Sequence, residues 1–136
     1  MTVKLTLTGV DTSSWTSTGN SGIWMGIGWD TTTMKGGNPL TDYNSCKFIW
    51  KNAATDAFTF NDWNYPSTAA DLAFVFTETQ SLTDTQTNTK DKAAGNFECQ
   101  FTRLCNTGDT SDTVIPLYET FNIIRAWGLA DSSSTR

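Results

Sequence analysis

Hydrophobic and polar residues alternate along most of this chain with a period of two, which is typical of β-strands. No segment keeps the period of a helix for longer than a turn or two. The predicted strands are residues 3–8, 22–29, 46–50, 56–63, 72–76, 97–103 and 121–127. Residues 79–92 are polar and rich in turn formers, so they predict an exposed hairpin tip or a long loop. Short strands at this spacing predict an all-β fold, an antiparallel sandwich or barrel.

The segment 22–29, Gly-Ile-Trp-Met-Gly-Ile-Gly-Trp, is apolar at both odd and even positions. One face carries four large apolar side chains, and the other carries Trp24 together with Gly26 and Gly28. A strand that is apolar on both faces is expected in the middle of a sheet that is covered on both sides. Its glycines would let a neighbouring group or a ligand approach the backbone.

The length of 136 residues and the uniform composition predict one domain over residues 1–136. Charged residues are only 17% of the chain, and its polarity comes from 25 threonines and 11 serines. The net charge of −5 and the scattered cations exclude a phosphate-binding stripe, so no nucleic-acid partner is expected. No segment approaches the roughly 20 apolar residues of a membrane span.

Residues 1–4 run directly into a predicted strand without a basic and apolar leader. Either the protein is intracellular, or a signal peptide precedes this sequence. The threonine-rich, lysine-poor composition favours the second alternative, and we expect an extracellular or cell-surface protein. The serines and threonines would accept O-linked sugars, whereas an Asn-x-Ser/Thr sequon is absent from the sequence.

The chain contains no histidine. It therefore cannot form a Ser-His-Asp or Cys-His nucleophilic site, an imidazole base or a metal site with a histidine ligand. It has only three glutamates, and no pair of acids stands out as a glycosidase-like pair. We expect a protein that is not an enzyme.

The three cysteines, Cys46, Cys99 and Cys105, allow three pairings of one disulfide with one free thiol. Cys46 and Cys99 lie on the apolar faces of predicted strands, where they would be buried thiols or a bridge between sheets. Cys105 begins a loop and is able to pair with either. We favour a disulfide that includes Cys105. The spacing does not match a zinc site.

Three stretches together resemble the DOMON family of β-sandwich domains, over roughly residues 20–130. The first is the segment 22–29, followed by residues 34–37 (Met-Lys-Gly-Gly) and Asp42. The second is residues 46–48 (Cys-Lys-Phe), with an aromatic strand that ends at Asp62. The third comprises residues 101–104 (Phe-Thr-Arg-Leu), residues 106–109 (Asn-Thr-Gly-Asp), Asp112 and residues 125–128 (Arg-Ala-Trp-Gly).

The resemblance implies an immunoglobulin-like sandwich and one of two ligand types. Some relatives hold a b-type haem through a methionine and a histidine, and others are thought to bind sugars or to act as extracellular interaction modules. Met34 occupies the position of the axial methionine, but the axial histidine has no counterpart, and a pair of Met25 and Met34 would be an unusual haem site. We therefore expect no cofactor and keep haem-based electron transfer as the alternative.

Six tryptophans and three tyrosines are enough for an aromatic platform on which a sugar ring could stack, with polar neighbours binding its hydroxyls. The candidates are Trp24, Trp29, Tyr43, Trp63 and Tyr65, together with Asp62. The competing interpretation is that most of these rings fill the core between the sheets. The turn at residues 62–66 is the strongest exception, because polar and aromatic residues alternate there.

Arg103 has the same parity as the apolar residues of its strand, so we expect it to point inward and to pair with a carboxylate, or else with an acidic ligand. Asp109 and Asp112 would offer oxygens to calcium, but the spacing of an EF-hand is missing, and a plain loop explains them better. A third hypothesis is an extracellular assembly, a homo-oligomer joined along exposed strand edges or by the remaining cysteine. We expect a binding or assembly module, with a carbohydrate or an extracellular protein as its partner.

Overall fold

The computed structural model describes residues 1–16, 21–29, 41–51, 56, 58–65, 82–84, 88–110 and 112–130. These residues form strands and connections without a helix, and all strand pairs are antiparallel. The strands are β1 (Thr2–Leu7), β2 (Gly22–Trp29), β3 (Thr41–Ile49), β4 (Phe58–Tyr65), β5 (Thr83–Asp84), β6 (Thr89–Asp91), β7 (Asn96–Thr102) and β8 (Ile123–Ala130). No helix in this part of the chain is long and apolar enough to cross a membrane.

Two sheets pack together and confirm the predicted all-β sandwich. Sheet A has the order β1-β7-β5, and β6 also pairs with β7. Sheet B has the order β4-β3-β2-β8. The prediction of a central strand at residues 22–29 is confirmed, because β2 pairs with β3 on one side and with β8 on the other.

The core lies between the sheets and is built from the inward positions of β2, β3 and β7. One apolar cluster surrounds the two cysteines and includes the fully buried Phe48 and Phe97. A second cluster contains Trp29 and Phe101. Phe48 stacks at a tilt against Phe97 of the opposite sheet, with ring centroids 5.7 Å apart, so alternating aromatic residues join the two layers.

A disulfide between Cys46 of β3 and Cys99 of β7 links the two sheets. The expected disulfide with Cys105 is therefore wrong, and the intersheet bridge is the correct alternative. The physical reason is position: Cys46 and Cys99 are fully buried on facing strands, with Cα atoms 6.8 Å apart. Cys105 lies beyond the end of β7, is half-buried and has a free thiol.

The strands predicted at residues 56–63 and 121–127 are shifted to Phe58–Tyr65 and Ile123–Ala130, and two other segments differ more. The third strand begins at Thr41, five positions before the predicted start, because its first half carries polar side chains that face the core. The expected loop at residues 79–92 contains β5 and β6, two short strands that pair with β7. Their threonine-rich sequence lacks apolar alternation, so only the neighbouring strand specifies them. The predicted strand 72–76 lies outside the described residues.

The intersheet disulfide gives a direct test of the fold. Because the bridge closes a separation of 53 residues, we expect the double substitution of Cys46 and Cys99 by alanine to lower the free energy of unfolding by about 2–4 kcal/mol. Urea denaturation followed by tryptophan fluorescence measures this change. The matched control is Cys105→Ala, which should leave the unfolding curve unchanged and should alone abolish thiol labelling of the native protein.

Candidate functional site

A buried ionic cluster lies at the end of β7, where Arg103 enters the space between the sheets. Its guanidinium is 2.5 Å from Oδ2 of Asp42 on β3 and 3.5 Å from Oδ2 of Asp112, measured from Nη2. The side chains of Arg103 and Asp42 are fully buried, and that of Asp112 is 3% exposed. The prediction that Arg103 points inward and pairs with a carboxylate is confirmed.

Neutral groups hold this cluster in place. The indole nitrogen of Trp29 donates to Oδ1 of Asn44 at 2.6 Å, and Arg103 Nη1 donates to the same oxygen at 3.4 Å. The ring of Trp29 lies 5.7 Å from the guanidinium carbon, within the range of a cation–π contact. The backbone nitrogen of Thr113 donates to Asp42 Oδ2 at 2.8 Å, so the carboxylate also anchors the loop after β7.

The cluster contains one cation for two carboxylates. Oδ1 of Asp42, both carboxylate oxygens of Asp112 and Nε of Arg103 are buried without a hydrogen-bond partner among the described residues. Burial raises the pKa of Asp42 to about 7, and repulsion from Asp112 adds to the increase. Attraction to Arg103 and the hydrogen bond from Thr113 act in the opposite direction, but desolvation is the larger effect.

The cluster connects the two sheets. Arg103 follows a strand of sheet A, and Asp42 belongs to sheet B. Among the described residues, no group of three or more acidic or cysteine side chains is arranged to hold a metal ion. The guanidinium also occupies the position between the carboxylates that a cation would need. The calcium hypothesis for Asp109 and Asp112 therefore gains no support, because Asp112 turns inward to Arg103.

A groove of about 610 Å³ is lined by β1 and the residues that follow it, together with the middle of β2 and β8. Its apolar wall includes Leu5, Leu7 and Met25, and Trp127 lies at its exposed side. Lys4 and Arg125 supply the positive charge, and Lys4 is paired with Glu98 at 3.0 Å. The groove is therefore lined by polar and apolar groups in similar proportion, with Lys4 and Arg125 among the polar ones.

The groove exists because the inward face of β8 is uncovered. Ile123, Arg125, Trp127 and Leu129 are the register partners of the four inward residues of β2, so they lie on the same face of sheet B. The β2 partners are buried, whereas Ile123, Trp127 and Leu129 are 56%, 55% and 68% exposed. We call these four residues of β8 the β8 face.

The predicted sugar platform is only partly available. Trp29 and Tyr43 are 4% and 3% exposed, so both belong to the interior and cannot meet a sugar in this state. Trp24 is half-buried and lies flat on the opposite face of sheet B, where its Nε1 is 2.7 Å from the position of a Cβ on Gly128. The prediction that the glycines of residues 22–29 permit a close approach is confirmed at Gly28, where a Cβ would lie 2.8 Å from side-chain atoms of both Tyr43 and Ile124.

For the other predicted site residues, the structure describes only the backbone or does not describe the residue. Asp62, Trp63 and Tyr65 belong to β4 and pair with Asn44, Tyr43 and Thr41, and their side chains lie outside the description. Met34 also lies outside the described residues. Met25 is 2% exposed and packs in the apolar cluster around the disulfide.

Two contributions were not predicted. Asp42 was named only as part of the family resemblance, and its ion pair was not predicted from the sequence. An acidic residue at an inward position that faces an inward arginine indicates such a pair. Trp127 was placed in the last strand without a role. The sequence feature that could have indicated an exposed edge is Arg125, a charged residue at a position that is otherwise apolar in the alternation of this strand. Such a charge is typical of an edge strand that is protected against unwanted pairing.

No family model, curated protein or solved structure matches this chain. The resemblance to the DOMON family therefore stays a prediction that depends on the quoted motifs.

The pKa of Asp42 sets a pH dependence of stability. Because its folded value of about 7 is above the ordinary 3.8, the folded protein retains a proton that the unfolded chain releases between these values. This contribution is complete below about pH 4 and is lost as the pH rises through 7. We expect the free energy of unfolding to fall by about 1–3 kcal/mol between roughly pH 5 and pH 8, measured by urea denaturation.

Two variants connect this pH dependence with the cluster. Asp42→Asn should remove it, and Asp112→Asn should move the fall to lower pH because the repulsion that raises the pKa of Asp42 is gone. A stability profile of the unmodified protein that is flat across this range, or one that Asp42→Asn leaves unchanged, would contradict the assignment.

Removal of Arg103 should be more damaging than removal of an exposed cation. We expect Arg103→Met to lower the free energy of unfolding by about 3–5 kcal/mol at neutral pH, because two buried carboxylates lose their cation. Lys51→Met, at an exposed position, should change it by less than about 0.5 kcal/mol. The double variant with Asp42→Asn should recover part of the loss, and strict additivity of the two changes would count against a coupled cluster.

Proposed function

We propose that this protein is a non-catalytic extracellular module whose partner supplies an extended strand that pairs with the edge of β8. The observation that carries this proposal is the β8 face, with three large apolar side chains exposed by more than half. Exposed large apolar side chains that share one face beside a groove are typical of interaction sites. The proposal joins the binding and assembly hypotheses made from the sequence.

The edge of β8 supports strand addition rather than packing alone. Among the described residues, β8 is hydrogen-bonded to a neighbouring strand on the β2 side only. An eight-residue strand without proline offers a regular row of backbone donors and acceptors to a new neighbour. An added strand would gain these hydrogen bonds, and its alternate side chains would pack beside those of the β8 face.

The non-catalytic assignment is supported by where the polar groups lie. Arg103, Asp42 and Asp112, the strongest cluster of charged groups in the described interior, are shielded from any substrate and hold the sheets together. The extracellular assignment is supported by the buried disulfide, because such bonds are typical of proteins in oxidising environments.

Carbohydrate binding is a second candidate that one observation favours. The half-exposed ring of Trp127 shares the groove with Thr6 and Thr8, so an aromatic surface lies near threonine residues. Stacking on Trp127 would replace the platform that was predicted at Trp29 and Tyr43. Saturable binding of soluble oligosaccharides that is lost in Trp127→Ala would favour this alternative over strand addition.

Two peptides test strand addition. One has the sequence of residues 121–130, and the other is an unrelated ten-residue peptide of alternating valine and threonine. We expect saturable binding of at least one labelled peptide, measured by fluorescence anisotropy, because either offers an extended backbone. Trp127→Ala should weaken it at least tenfold, since the ring covers much of the β8 face.

The matched control is Tyr118→Ala, which removes an aromatic ring that is 97% exposed in a loop. It should leave peptide affinity unchanged. If neither peptide binds, or if both aromatic variants weaken binding equally, the proposed function is wrong.

A further inference from the structure

We infer that the strand added to β8 is β8 of a second copy of this chain, paired antiparallel about a two-fold axis at Ala126. This inference rests on the proposed function and names the partner of that site. It is carried by the order of residues in β8, which is complementary to itself when the strand is reversed about Ala126.

The β8 face shows this complementarity first. In an antiparallel pair centred on Ala126, Ile123 lies opposite Leu129 of the second copy, and Arg125 lies opposite Trp127 of the second copy. The first pair joins two exposed aliphatic side chains. The second places a guanidinium beside an indole, which is a favourable cation–π pair. Each contact occurs twice because the axis is two-fold, as in an isologous interface.

The opposite face of β8 accepts the same register. Ala126 lies opposite Ala126 of the second copy, so the smallest side chain of the strand other than glycine stands at the axis. Ile124 lies opposite Gly128 of the second copy, and Trp24 covers that glycine on the same face. The space that a side chain at Gly128 would occupy is therefore filled by Trp24 of the same chain, and Ile124 of the second copy lies beside it.

Other registers are less favourable for reasons of charge and side-chain direction. An axis at Arg125 would place two guanidinium groups opposite each other, which is destabilising. An axis at Trp127 would place Arg125 opposite an aliphatic residue, Leu129 of the second copy. In that register Ile123 has no opposite residue within β8, because β8 ends at Ala130. A shift by a single position would turn the β8 face of one copy away from that of the other.

Electrostatics permit the association. Each copy carries a net charge of −5, but the paired strands carry only the positive charge of Arg125. Repulsion between the distant acidic residues is screened at physiological salt. Pairing would extend sheet B into one continuous sheet across both copies and place the two β8 faces side by side, where their side chains contact each other laterally.

A symmetric cysteine tests the register. In the Cys105→Ser background, Ala126→Cys should form a disulfide-linked dimer under mild oxidation, because opposite Cα atoms in an antiparallel pair are about 4.5–5.5 Å apart, within the range of disulfides. Ile124→Cys is the matched control on the same face of the same strand, and it should remain monomeric. Non-reducing electrophoresis compares the two yields, and equal crosslinking of both would overturn the register.

A second measurement uses two leucines of nearly equal exposure. Analytical ultracentrifugation into the high micromolar range should show a monomer–dimer equilibrium for the unmodified chain. Leu129→Lys should weaken it at least tenfold, whereas Leu117→Lys should change it less than twofold, with circular dichroism confirming that both variants fold. These side chains are 68% and 69% exposed, and only Leu129 lies on the β8 face.

The results separate this inference from the proposed function. A chain that stays monomeric throughout and forms no Ala126→Cys dimer, yet binds one of the two peptides, overturns pairing with a second copy and leaves strand addition in place. A monomeric chain that binds neither peptide overturns both. A dimer that Leu129→Lys does not weaken also overturns the inference, because its interface would then lie elsewhere.

Discussion

The Cys46–Cys99 disulfide holds β3 and β7 face to face, and the exposed edge of the molecule follows from this arrangement of the two sheets. It joins β3, an inner strand of sheet B, to β7, the strand with which all other described strands of sheet A pair. With β7 held against β3, β1 comes to lie towards β2 and β8, where it forms one wall of the groove. Sheet A has no described strand beyond β1, so β8 projects past the edge of the sandwich.

The space between the sheets is divided into an apolar part and an ionic part, and each stabilises the sandwich differently. Around the disulfide, aromatic rings from both sheets pack against each other and exclude water. Around Arg103, the attachment depends on ionised groups that have lost their hydration. A buried ion pair is weak support for stability but is costly to break. The burial of Asp42 raises its pKa, and repulsion from Asp112 adds to this effect.

The sequence predicted the features that depend on neighbouring residues and missed those that depend on distant ones. Alternation located most strands, and the double apolar pattern of residues 22–29 identified the central strand. Parity also placed Arg103 inside. The disulfide partner of Cys46, by contrast, is determined by which strands of the two sheets face each other, and no local pattern contains that information. Trp29 and Tyr43 were candidates for a surface platform because aromatic residues have similar sequence patterns in a core and at a binding site.

Alternation has a more specific weakness at β8. It shows that Ile123, Trp127 and Leu129 share a face, but whether that face is covered depends on how many strands the opposite sheet has. The environment of Arg125 likewise depends on whether the opposite sheet covers this face. In the middle of a covered face an arginine would need a buried partner, as Arg103 does, whereas on an uncovered edge it can remain hydrated until a partner arrives. A charge at this position disfavours pairing in registers that would place it against an aliphatic residue or another arginine.

These constraints favour closed over open-ended assembly. An apolar edge strand usually risks continuous pairing with further chains, because each added strand presents a new edge. In a two-fold β8 pair, the exposed edge of one copy is consumed by the same edge of the other, and no β8 edge remains for a third copy. The self-complementary order of residues in β8 thus selects the antiparallel register and also ends growth through the β8 edge at two chains. The same edge that sheet A leaves uncovered can therefore serve as a specific interface without leading to fibres.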